Sequence, residues 1–127
     1  MNGKFFLDTN TVIALLNGNE SLTTLLQSAT WVGITVITEL EFLSFSGLTQ
    51  QDKSLFEEFK TRIEVINLET RDTVLIQAIC QVRKTYRLKL PDAIIAATAL
   101  NQDATLISND SIFARITEMA LQTFPLA

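Results

Sequence analysis

The chain has 127 residues, enough for one domain with a genuine core, expected to occupy residues 1–127. Apolar residues make up 47% and charged residues 19%, below the usual ~25% charged, which excludes disorder and suggests apolar surface reserved for a partner. A net charge of −4 argues against bulk electrostatic binding of nucleic acid, and the absence of histidine removes Ser-His-Asp triads, Cys-His pairs and the usual zinc sites.

Carboxylates and a hard metal ion are the catalytic chemistry left to such a chain. No basic, apolar leader follows Met1, so a cytoplasmic location is expected. Residues 21–38 carry no charge, but hydroxyl and amide side chains interrupt them too often for a membrane span. The single Cys80 falls in a helical apolar pattern and reads as core.

Lys4-Phe5-Phe6-Leu7 runs straight into Asp8-Thr9-Asn10. A short apolar run stopped by turn-forming polar residues reads as a buried parallel strand. A helix is expected over 11–16, with Thr9 or Asn10 as its N-cap. Residues 20–27 form the next helix candidate, and 31–35 a β-branched second strand. Thr38 opens another helix, in which Thr38-x-x-Glu41 fits a capping box. After a break at 46–49, residues 52–60 read as an exposed helix with a stripe of Leu55, Phe56 and Phe59. A short strand over 63–66 leads to the longest helix, 69–86. Pro91 suits the first position of a helix running to 101, apolar nearly all round. A fourth strand at 105–107 ends at Ser108-Asn109-Asp110, one or two helical turns follow at 111–115, and 121–124 reads as an edge strand. This alternation predicts an α/β domain of three layers, α/β/α, around a mainly parallel sheet.

In a parallel sheet every strand's carboxyl end lies on one edge. Asp8 and Asp110 end strands, Glu39 or Glu41 follows the second strand and Asp92 opens the apolar helix, so they can converge although far apart in sequence. Each also has a plain structural reading. Asp8 can open a turn, Asp92 can favour a helix dipole, Asp110 can cap a turn, and Glu41 can close the capping box. Asp52, Asp72 and Asp103 read as solvated surface. Carboxylates held together repel, and a site that keeps four requires a cation; all-oxygen ligands select Mg²⁺ or Mn²⁺. Arg83, Lys84, Arg87 and Lys89 form a basic cluster directly before Pro91-Asp92, suited to a helix end or to phosphate contact.

Together, Phe5-Phe6-Leu7-Asp8-Thr9-Asn10, Thr35-Val36-Ile37-Thr38-Glu39-Leu40-Glu41, Leu90-Pro91-Asp92-Ala93-Ile94-Ile95-Ala96-Ala97 and Leu106-Ile107-Ser108-Asn109-Asp110 with Phe113 resemble a PIN-domain protein. The likeness is strongest to the small ribonuclease toxins of VapBC-type toxin–antitoxin pairs. It implies an Mg²⁺- or Mn²⁺-dependent endoribonuclease acting on RNA, with Asp8, Glu41, Asp92 and Asp110 as catalytic metal-binding acids and Asn10 and Ser108 as polar support. Glu41 matches the Thr-x-x-Glu pattern, whereas Glu39 falls two residues early and points about 200° away on a helix. Two positions depart from the pattern: no glycine follows Glu41, and Asn109 stands where a basic residue is common. The resemblance further implies a cognate antitoxin protein. A homodimer is expected from the low charge and from Phe42, Leu43, Phe45, Phe56 and Phe59. The alternative is a catalytically idle PIN-like interaction module. A phosphoacceptor receiver lacks its paired acids and late lysine here, and Asn10 spoils a dehalogenase-type Asp-x-Asp.

Overall fold

The computed structural model describes residues 3–126. Five strands form one wholly parallel sheet in the order β3-β2-β1-β4-β5. The strands are β1 (Lys4–Leu7), β2 (Trp31–Thr35), β3 (Glu64–Ile66), β4 (Thr105–Ile107) and β5 (Leu121–Gln122). The helices are α1 (Thr9–Leu16), α2 (Glu20–Gln27), α3 (Val36–Leu43), α4 (Gln50–Lys60), α5 (Thr73–Tyr86) and α6 (Leu90–Asn101), with a 3₁₀ turn at Ser111–Arg115.

The period of two along β1 divides the core. Phe6 and Leu106 face a cluster with Leu75, Ile79 and Val82 of α5 and the Ala93–Ala97 run of α6. Phe5, Leu7 and Ile107 face Val12 of α1, Leu22 of α2, Phe42 of α3 and Phe56 of α4. The sheet is therefore covered on both faces, as an all-parallel sheet must be. Gly33 leaves room for the ring of Trp31, which stacks at 6.3 Å on Phe6; a Cβ at that position would sit 2.1 Å from the ring.

Several expected helix starts shift, each for a capping reason. The N-cap of α1 is Asp8, not Thr9 or Asn10: its backbone is extended and its Oδ1 accepts Thr11 N–H at 2.9 Å. Helix α3 begins at Val36 because Thr35 Oγ1 accepts Thr38 N–H at 3.1 Å, so Thr38 and Glu41 form no capping box. The capping box belongs instead to Thr49 and Asp52 at the start of α4. Asp72 caps α5, which starts at Thr73 rather than 69. Asp52 and Asp72 are thus structural caps and not merely solvated surface. The edge strand β5 stops at Gln122; beyond it the side chain of Asn109 both donates to and accepts from the backbone of Phe124 at 2.8 Å.

Burial also differs at two kinds of position. Cys80 is exposed, because the core face of α5 is carried by Leu75, Ile79 and Val82. Phe56, expected on an exposed helix, is 0% exposed and stacks on Phe42 with ring centres 4.7 Å apart. Among the described residues no helix is long and apolar enough to cross a membrane.

Phe56 ties α4 to α3 through the aromatic pair. Phe56→Ala should therefore cost about 3–5 kcal/mol of stability. Urea denaturation of both proteins reads this directly, and a loss under about 1 kcal/mol would show that α4 contributes little to the core.

Candidate active site

Strand order places β1 between β2 and β4, and the chain reverses direction across the sheet there. The crevice beyond the carboxyl ends of β1 and β4 is the switch point at which open α/β sheets bind ligands. Asp8 follows β1 and is 5% exposed. Its Oδ1 caps α1, and its Oδ2 accepts a short hydrogen bond from Ser108 Oγ at the end of β4. Ser108 Oγ in turn accepts Asp110 N–H at 3.0 Å. Thr11 Oγ1 donates to Ile107 O at 2.8 Å, satisfying a strand-end carbonyl in the crevice. Asp110 itself caps the 3₁₀ turn by accepting Ile112 N–H at 3.0 Å.

The two glutamates of α3 separate as the helical angle requires. Glu39 pairs with Lys60 of α4 at 2.7 Å, and the hydrogen bond to Glu39 is the main cause of a raised Lys60 pKa. Glu41 lies on the other side, where its Oε1 accepts from Thr9 Oγ1 at 2.5 Å. Thr9 stands next to Asp8 in sequence, so Glu41 is the acid of this pair that reaches the crevice.

Asp92 lies in the first turn of α6, where Lys89 caps the helix with no side-chain bond. Burial is the largest influence on its carboxyl and raises its pKa above the usual value of 3.8. Asp110 and Glu41 push it further in the same direction, Lys89 pulls it back, and Asp8 adds a smaller push. One carboxyl group thus senses the charge of the other three. The donor set is carboxylate and hydroxyl oxygen with no imidazole, chemistry that fits a hard divalent cation. Among the described residues, however, no three acidic or thiol side chains stand close enough to hold a metal ion between them.

The polar neighbours differ in kind. Ser108 is fully buried and bonded to Asp8, while Asn10 is exposed on the first turn of α1. Asn109, where a basic residue is common, holds the backbone of Phe124. Arg83, Lys84, Arg87 and Lys89 are all exposed around the end of α5, with Arg87 in the left-handed region at φ 53°. Two further residues belong to this surface. Thr9 was expected only as a cap, and its sequence gives no sign that it reaches Glu41. Arg115 donates to Tyr86 O at 2.5 Å and so adds a cation beside the end of α5; a lone arginine 26 residues after Lys89 carries no such signal.

These features define an α/β domain with an acidic crevice at the switch point of a parallel sheet. A family model for the PIN domain matches residues 5–119, and the chain belongs to the PIN-domain family. Its structural neighbours include toxin–antitoxin complexes. A toxin–antitoxin complex from Klebsiella pneumoniae is 27% identical, with 96% of this chain and 97% of that chain covered and a TM-score of 0.76. VapBC2 from Rickettsia felis, bound to a DNA fragment from its promoter, is 23% identical over 95% and 98% of the two chains, with a TM-score of 0.80. VapBC-1 from nontypeable Haemophilus influenzae gives 21%, 94%, 96% and 0.78 for the same measures. No curated protein matches the sequence.

Asp92→Asn removes the carboxyl whose ionisation the fold opposes. Because the folded pKa is raised, the cost of the charge is present at neutral pH and vanishes as pH falls through the folded value towards 3.8. The metal-free variant should melt at the same temperature as wild type or higher at about pH 7, with the gap closing towards about pH 4. Calorimetry in EDTA measures both. If Asp92 served the helix dipole alone, about 0.3–1 kcal/mol would be lost and the variant would melt lower.

Proposed function

We propose that this chain is a divalent-metal-dependent endoribonuclease, the toxin of a type II toxin–antitoxin pair. The observation that carries the reading is that Asp92 senses Asp110, Glu41 and Asp8 together, at the switch point of a PIN-family sheet. Asp8 and Asp110 also cap helical turns, but Asp92 has no capping bond to account for its place among the other three acids. Asp8, Glu41, Asp92 and Asp110 are the residues that would hold Mg²⁺ or Mn²⁺, with Ser108 and Asn10 beside them. When bound, the cation neutralises charge on the non-bridging phosphate oxygens and makes water a better nucleophile. The chain's own part is to orient the phosphodiester for in-line attack and to accept the water's proton on one of the four carboxylates. The products would carry a 5′-phosphate and a 3′-hydroxyl, as the resemblance implies.

Arg83, Lys84, Arg87 and Lys89 would contact RNA phosphates, and Arg115 extends their surface. An overall charge of −4 would then matter less than the local cations, of which Lys89 is close enough to the acids to act on Asp92. A cognate antitoxin suits the apolar grooves beside α4. Two adjoining cavities of about 270 and 330 Å³ share Leu15, Thr23, Phe59 and Arg62. The Klebsiella pneumoniae relative is described as a toxin–antitoxin complex, which supports a protein occupant here. Leu40, Phe45 and Leu43 remain exposed on and after α3, and they support a homodimer in place of the buried Phe42 and Phe56. Light scattering at tens of micromolar should give twice the chain mass of 14.2 kDa; a monomer would remove the dimer.

Cleavage of structured RNAs in Mg²⁺, Mn²⁺ and EDTA tests the central reading. Wild type should cut in metal and not in EDTA. Glu41→Gln and Asp92→Asn should reduce cleavage to background, whereas Glu39→Gln should keep it within a few-fold. Added Mg²⁺ should raise the melting temperature of wild type more than that of Asp92→Asn, by mass action. No cleavage of any RNA, with no thermal response to metal, would favour the idle interaction module.

The basic cluster is tested separately from the chemistry. Replacing Arg87 and Lys89 with Ala should weaken RNA binding across sequences. It should also flatten the log–log salt dependence by roughly 1.4, about 0.7 per lost contact on a single strand. Filter binding at several salt concentrations measures the slope, and an unchanged slope would assign both cations to the helix ends.

A further inference from the structure

We propose that Thr9 is a positioning residue for the Glu41 carboxylate, and that its hydroxyl sets the affinity of the acidic crevice for a divalent cation. The inference rests on the metal-site reading above and deepens it. Glu41 is exposed near the end of α3, and its charge acts on Asp92 together with those of Asp110 and Asp8. A glutamate so placed is repelled by its neighbours and free to rotate into water. Among the described residues its carboxylate accepts one hydrogen bond, from Thr9 Oγ1 at 2.5 Å. That bond is charge-assisted and joins residues 32 apart in sequence, so it is a tertiary restraint and not a property of either helix.

The donor is itself well fixed. Thr9 occupies the first turn of α1, immediately after the buried Asp8. Its Oγ1 lies 3.4 Å from Thr38 Oγ1, and Thr38 is fully buried with its N–H bonded to Thr35. A β-branched residue at this position has few rotamers to lose. The hydroxyl therefore presents a donor in a set direction, and Glu41 is held beside Asp8. Glu39 has its own tether in Lys60, so the two acids of α3 are sorted by different partners. One oxygen of Glu41 takes the Thr9 proton, which leaves the other oxygen free for a ligand. Ligating carboxylates are commonly held by such an outer hydrogen bond, and losing it typically lowers metal affinity 10–100-fold.

The test uses the full chain, stripped with EDTA and titrated with Mn²⁺ by calorimetry. Thr9→Val and Thr9→Ala should lower Mn²⁺ affinity by about tenfold or more, and Thr9→Ser should restore it. In a Glu41→Ala background, Thr9→Val should have no additional effect, since the restraint then has nothing to hold. A metal-free readout stands beside this. Side-chain couplings of Glu41 in EDTA should report one dominant rotamer in wild type and Thr9→Ser, and averaged rotamers in Thr9→Val. Melting temperatures in EDTA check that each variant is folded. Unchanged Mn²⁺ affinity in both Val and Ala variants, or an additive loss in the Glu41→Ala background, would overturn the proposal. Equal rotamer averaging in wild type and Thr9→Val would overturn it whether or not metal binds. A wild type that takes up no Mn²⁺ would instead overturn the metal site, and with it the affinity role, while the couplings still decide the positioning.

Discussion

The carboxylate of Asp8 holds two parts of the fold together with its two oxygens. One oxygen starts α1 and the other fastens the end of β4 through Ser108. At the switch point, where β1 and β4 pair, the polar groups at the strand ends are satisfied in this way, with Thr11 covering Ile107 O beside them. A cap of this type contributes about 0.5–2 kcal/mol, and a buried Ser108 left without its partner would add a further penalty. Asp8 is consequently a poor residue from which to separate chemistry from folding, because any substitution disturbs both. Asp92 has no comparable structural duty, since α6 begins without a side-chain cap.

The rest of the crevice follows from sorting like charges. Residues 39 and 41 are both glutamate, and a helix cannot aim both at one point. Lys60 takes Glu39, and Thr9 takes Glu41. A half-exposed ion pair of this sort adds little to stability. Its consequence is directional: it fixes which acid joins Asp8, Asp92 and Asp110. The same economy explains Asn109. A basic side chain there would lie close to the acids, whereas asparagine pairs with the backbone of Phe124 and brings the chain's last segment against the sheet.

Much of this was readable in the sequence, and the missed parts share a cause. The strands at 31–35 and 105–107 and the helix at 20–27 have the expected limits because local apolar pattern and turn residues decide them. The PIN resemblance covered the four acids because Asp8, Glu41 and Asp110 follow strand ends and Asp92 opens a helix packed on the sheet, where topology makes distant residues neighbours. Helix starts were less accurate because Thr, Asp and Asn crowd each junction. Only the backbone geometry says which of Asp8, Thr9 and Asn10 is the cap. Phe56 and Cys80 were placed on the wrong sides because helix periodicity gives a stripe but not the phase of its packing partners. The bonds of Thr9 to Glu41 and Arg115 to Tyr86 span 32 and 29 residues, and no local pattern encodes them.

The link between Asp8 and Ser108 has a temporal side. It joins residues 100 positions apart, and β1 cannot sit between its two neighbours until β4 exists. Synthesis runs from the amino end, so the first acid emerges long before the last. Until Asp110 has left the ribosome and β4 has docked, a growing chain holds an incomplete set of acids and an open sheet edge at β1. Pairing that depends on such distant segments is slow to form. The carboxylate cluster is thereby a property of the finished chain alone: a chain that stops short of β4 carries the first three acids with neither Asp110 nor the bond that anchors Asp8.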